Sequence, residues 1–137
     1  MKLIISTDKI SKASNVRKVD PIYIQVAEEL AKIDILQHVK IYNGRIQASN
    51  ILSTNGKKEP ITTIGQDNVV GVELLIDVPN QIIQFYSITS SVEGYGDKMV
   101  SAVVNSVPDD WNIVVFMDWS HGFWKVMAER YPRLMVC

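Results

Sequence analysis

One cysteine, Cys137, is all that the 137 residues contain, so no disulfide can form within the chain and a cysteine-based metal cluster has no ligands. That usage fits a reducing compartment, and the cytoplasm is the expected location. An excess of charge of either sign is also missing, because 14 basic and 15 acidic side chains leave a formal net charge of −1. No overall field draws the chain to nucleic acid or to an anionic membrane, and neither is expected as a partner. Long hydrophobic runs are lacking too. The longest, such as "NIVVFM" and "LMVC", fall far below the roughly 20 apolar residues of a membrane-spanning helix. The start "MKLIISTDKISK" has neither the length nor the small-residue cleavage site of a signal peptide. His38 and His121 are the only histidines, and no carboxylate pattern around either predicts a metal site.

Apolar side chains, by contrast, make up 47% of the chain, enough for one substantial core, and a single domain over residues 1–137 is expected. "KLIIST", Lys2 to Thr7, reads as a first strand followed by a polar connection through "DKISKASNVRKV". Asp20 can cap a helix that has Pro21 in its first turn. Tyr23, Val26, Ala27 and Leu30 then recur at helical spacing, predicting a helix near 20–33. "HVKIYNGRIQAS" reads either as two strands around an Asn43-Gly44 turn or as a helix end followed by a strand, and "STNGKKEPITTIGQDN" as a polar surface loop where an acceptor could be recognised.

The pattern sharpens after Asn68. "VVGVELLIDV" and "QIIQFYSIT", separated by Pro79 and Asn80, read as an antiparallel hairpin. Val100, Val103, Val104 and Val107 form one apolar helical face that ends before Pro108. "WNIVVFMD" reads as a buried strand, "SHGFWKVMAERYP" as a helix stopped by Pro132, and "RLMVC" as a last short strand. The expected fold is α/β (α+β), a mixed and mostly antiparallel sheet flanked by helices.

The chemistry of the chain turns on "SVEGYG", Ser91 to Gly96, which joins a strand to a helix. The first N–H groups of a helix lack intrahelical partners and sit at the positive end of its dipole. Gly94 and Gly96 remove side chains where a pyrophosphate would approach them. A plain tight connection between strand and helix uses the same two glycines. A dinucleotide fingerprint would need a third glycine where Met99 stands, and no lysine followed by Ser or Thr completes a triphosphate loop.

The C-terminal half resembles the GNAT superfamily of acyl-CoA-dependent N-acyltransferases. In that family a strand leads into Gln/Arg-x-x-Gly-x-Gly/Ala at a helix start, and "SVEGYG" matches that motif apart from Ser91 in place of Gln or Arg. The helix, strand, helix and strand that follow repeat the family's order, and "FWKVMAERYP" is similar in its aromatic start to the family's "FYEKLGF" region, without the Gly-Phe close. The resemblance implies an N-acetyltransferase that moves an acetyl group directly from acetyl-CoA, its acyl-donor substrate, to an amine of a small molecule or a protein. It places the pyrophosphate on the backbone of Ser91, Val92, Glu93, Gly94, Tyr95, Gly96, Asp97 and Lys98. The pantetheine arm would lie in a gap between "QIIQFYSIT" and "NIVVFMD", pairing with Tyr86, Ser87 and Ile88 and passing Phe123 and Trp124. Glu93 and Asp97 bring negative charge to that turn, which Lys98 partly offsets.

Acyl transfer needs a base for the amine and an acid for the departing thiolate. Glu73 and Asp77 are base candidates, or else solvent-facing acids on an alternating strand. The family's acidic tyrosine position carries Trp124, and Tyr131 lies two turns further on. In "DWSHGFW", Asp118, Ser120 and His121 read either as catalytic groups or as helix caps and a surface histidine. A Ser-His-Asp hydrolase is excluded by their spacing. Two rivals remain: a catalytically degenerate GNAT fold that binds coenzyme A or a protein partner, and an unrelated α+β interaction protein. The chain stops soon after the sixth strand of the family order, so a homodimer in which a second subunit completes the sheet is also an expectation.

Overall fold

A computed structural model describes residues 8–63, 67–116, 118 and 120–137. The strand expected at Lys2 to Thr7 lies outside the described residues. Within them the chain forms ten elements: β1 (Ile10–Lys12), α1 (Pro21–Ala31), β2 (His38–Tyr42), β3 (Arg45–Ser49), β4 (Val70–Asp77), β5 (Ile82–Ser90), α2 (Tyr95–Ser106), β6 (Asn112–Val115), α3 (Phe123–Arg130) and β7 (Leu134–Val136). The fold is α/β, a seven-stranded mixed sheet in sequential order β1 to β7 with three helices. The three pairings from β2 to β5 are antiparallel, and β1–β2, β5–β6 and β6–β7 are parallel. The parallel strands therefore sit at the two sides of an antiparallel centre.

Local chemistry explains most of these elements. The Asp20 carboxylate accepts from the Ile22 N–H at 3.0 Å, and Pro21 follows in the first turn, where its missing donor costs nothing. At the other end of α1, Lys9 Nζ donates to the carbonyls of Ala31 and Ile33. The apolar stripe Val26, Ala27 and Leu30 is fully buried. Asn43-Gly44 turns the β2–β3 hairpin with Gly44 at φ 78°, and the Gly44 N–H donates to the Tyr23 hydroxyl at 2.9 Å, fixing the hairpin to α1.

On β4 and its neighbours, Ile46, Ala48, Val72, Leu74 and Ile83 join Leu30, Met99, Val100 and Val103 in one core on the helix side of the sheet. Each fully buried Leu or Ile there contributes roughly 1.5–3 kcal/mol. The valine face expected on α2 is buried throughout, and Val107 ends it before Pro108. Arg133 then closes this end of α2 by donating to the carbonyls of Val104, Val107, Pro108 and Trp111.

Three expectations change. The polar connection "DKISKASNVRKV" contains β1, whose three residues pair in parallel with β2. The buried strand "WNIVVFMD" is regular only over Asn112–Val115, so Asp118 lies beyond its end and not on it. The last helix begins at Phe123, which leaves Ser120 and His121 in the loop before it.

Candidate functional site

The site arises where two parallel strands part. β5 pairs with β6 only at Ile82, Ile83 and Gln84, yet it stays paired with β4 as far as Ser90. Beyond Gln84 its β6-side edge has no strand partner among the described residues. The gap is a cavity of about 260 Å³, near the lower end of small-molecule sites, lined by the run Phe85 to Ser90 on one side and by Gly96, Ser120, Phe123 and Trp124 on the other. A bulge adds to the distortion. Ser87 faces Glu73 and Phe85 faces Leu74, so Tyr86 is the extra residue, and its side chain is half exposed.

The cavity floor is aromatic. Trp124 packs on Phe85 with ring centroids 5.0 Å apart and on Phe123 at the same distance, edge to face. Phe123 in turn lies against Gly96, where an added Cβ would come within 2.9 Å of the ring. The space that the missing side chain of Gly96 leaves is therefore filled by Phe123. Gly94 is different. It precedes α2 at φ 90°, has no side-chain cap, and an added Cβ there meets nothing within 4 Å.

Close to that turn, Asp97 is paired on the side away from the cavity. Asp97 takes a hydrogen bond from the Tyr131 hydroxyl at 2.7 Å and an ion pair from Arg130 at 3.0 Å, both on the side of α3. Burial, reinforced by Asp97, raises the Tyr131 hydroxyl above its usual range. The Tyr95 hydroxyl donates to Asp34 at 2.8 Å, which lowers the Asp34 carboxyl and raises Tyr95. Lys98 stands over the Tyr95 ring at 4.6 Å. Ser91, Val92 and Glu93 are exposed in the turn itself.

The remaining candidates are dispersed. Asp118 accepts from both the backbone N–H and the hydroxyl of Ser120, which holds its carboxyl below the ordinary range. Ser120 Oγ also accepts the Trp124 N–H at 3.1 Å, so the pair caps α3 with no histidine between them. His121 is exposed, outside the helix, at φ 54°. Asp77 caps the β4–β5 turn through Asn80. Glu73 is not solvent-facing: it is 8% exposed, and it takes hydrogen bonds from Gln47 at 3.1 Å, Thr62 at 3.2 Å and Arg45 at 3.4 Å. It does not line the cavity.

The cavity thus gathers Tyr86, Ser87, Ile88, Gly96, Ser120, Phe123 and Trp124 from the expected residues, and leaves Glu73, Asp118 and His121 outside it. Phe85, Thr89 and Ser90 also line it and were not expected. The one signal for them was continuity, since a strand that parts from its neighbour exposes every residue along that edge. Comparison with protein-family models, curated proteins and solved structures finds no significant match to this chain.

Proposed function

We propose that this chain is a small GNAT-like N-acyltransferase that uses acetyl-CoA. One observation carries the reading: β5 parts from β6 after Gln84 and opens an apolar cavity whose rim adjoins the Gly94 turn at the start of α2. A pantetheine arm is extended and amide-bearing, so an unpaired strand edge with an aromatic floor suits it. The cavity's volume suits the arm alone, which leaves the nucleotide outside against the N–H groups at the start of α2. Pairing of Asp97 with Arg130 and Tyr131 lessens the repulsion that its charge would otherwise bring to a pyrophosphate.

A second reading, coenzyme binding without catalysis, is favoured by the state of the proton-transfer candidates. Glu73 has three donors of its own, Asp118 is held by Ser120, and Tyr131 is turned to Asp97. Direct attack by a neutral amine with a thiolate protonated by water is the chemistry compatible with that arrangement. Release of free thiol from acetyl-CoA across a panel of primary amines separates the two readings. Turnover above the no-protein rate supports the transferase, whereas saturable binding with no thiol release supports the second reading. Absence of binding overturns both.

A further inference from the structure

The geometry points to Glu73 as a positioning residue, one that holds the surface segment 59–63 against the cavity strand β5 by way of Thr62 and Ser87. Glu73, Gln47 and Thr62 are each more than nine-tenths buried on the face of the sheet opposite the helices. Glu73 Oε1 accepts from both Gln47 Nε2 and Thr62 Oγ1, and Oε2 faces Arg45. Thr62 is the joint: its hydroxyl donates to Glu73, while its carbonyl accepts from the Ser87 hydroxyl at 3.2 Å. Ser87 stands opposite Glu73 in register and also lines the cavity. A continuous path therefore runs from the buried carboxylate to the ligand gap.

The segment that this path anchors is otherwise a closed loop held by its own bonds and, at its tip, by Lys40 Nζ, which donates to the Lys57 carbonyl at 3.2 Å. Ser53 N–H donates to the Glu59 carbonyl, Ile61 N–H to the Ile51 carbonyl, and Leu52 bridges Pro60. Gly71 lets the segment lie close, since a Cβ there would come within 2.9 Å of the Ile61 carbonyl oxygen. A buried carboxylate with three donors is a poor way to gain stability, and the Gln47 Oε1 and Tyr42 hydroxyl of the same sheet face have no hydrogen-bond partner among the described residues. What such a cluster supplies is a fixed geometry. It fixes residues 59–63 against β5 at Ser87, on the face away from α2. Under the acyl-transfer reading, on which this last step rests, that is the acceptor's side.

The test uses the full chain and three variants, Thr62→Val, Ser87→Ala and Glu73→Gln, with two readouts. Lys57 and Lys58 are exposed at the tip of the loop and report local opening through trypsin cleavage. Thr62→Val and Glu73→Gln are expected to speed that cleavage on the order of tenfold, the effect of losing one hydrogen bond to a charged group. Ser87→Ala is expected to give a smaller increase, and acetyl-CoA affinity by calorimetry is expected to stay within about threefold of wild type in Thr62→Val and Glu73→Gln, whose side chains lie outside the cavity. Unchanged cleavage in both Thr62→Val and Glu73→Gln would overturn the proposal. So would a general loss of thermal stability with cleavage at Lys57 and Lys58 no faster than elsewhere. A wild-type protein that binds no acetyl-CoA sinks the acyl-transfer reading, but the cleavage result still decides the role of Glu73.

Discussion

Phe123 occupies the space that Gly96 leaves, with its ring edge 2.9 Å from where a Cβ would be. This contact joins the first turn of α2 to the first residue of α3 and shapes one wall of the cavity. Gly96→Ala is predicted to force the ring aside at about 1–3 kcal/mol, measured by chemical denaturation. Adding Phe123→Leu is predicted to recover part of that loss, because the smaller side chain yields the space. A double-mutant cycle with no coupling between the two positions would contradict the contact.

Arg133 closes the end of α2 by donating to four carbonyls at 2.7 to 3.2 Å. Arg133→Ala is predicted to cost about 2 kcal/mol and to lower Tm by roughly 6–10 °C. Arg133→Lys is predicted to recover little, since an ammonium cannot span the fork that the guanidinium fills. The nearby ion pair with Asp109 spans 4.0 Å to a fully exposed carboxylate, so Asp109→Asn is predicted to leave Tm unchanged.

Tyr42 has a hydroxyl raised to about 12, chiefly by burial and then by the charge of Glu59, with Arg45 partly opposing. The folded chain therefore holds this proton more tightly than the unfolded chain. The resulting stability is complete below about pH 10, where an unfolded tyrosine titrates, and is lost as pH rises through about 12. Ultraviolet titration is expected to show a late-ionising tyrosine that disappears in Tyr42→Phe. The same substitution removes a buried hydroxyl that has no partner among the described residues, so at neutral pH it is predicted to be neutral or stabilising by about 1 kcal/mol. Destabilisation at pH 7 would show that the hydroxyl has a partner after all.

Where a residue's role was local, the sequence made it readable. Asp20-Pro21 placed the start of α1, Asn43-Gly44 placed the β2–β3 turn, and the valine spacing placed the buried face of α2. β1 was hidden because a three-residue edge strand draws its order from β2 and carries no pattern of its own. Alternation correctly put Glu73 on the face opposite Val72 and Leu74. Whether that face met water depended on the distant Thr62 segment lying over it. The gap beside β5 followed from the resemblance alone, since no local spacing tells a strand where to leave its neighbour. The partner of Gly96 was out of reach for a similar reason, because Phe123 lies 27 positions away across two further elements.

The central claim is that the Gly94 turn and the β5 cavity together hold an acyl-CoA, and titration calorimetry with acetyl-CoA tests it most directly. Two variants sharpen the measurement: Gly94→Asp sets a negative charge in the open space of the turn, and Gly94→Asn sets a neutral side chain of the same shape that tolerates positive φ. Wild-type binding is predicted with a dissociation constant between about 1 μM and 1 mM. At least a roughly tenfold loss is predicted for Gly94→Asp and no more than about a threefold change for Gly94→Asn. No binding by the wild type, or equal binding by wild type and Gly94→Asp, would contradict the claim.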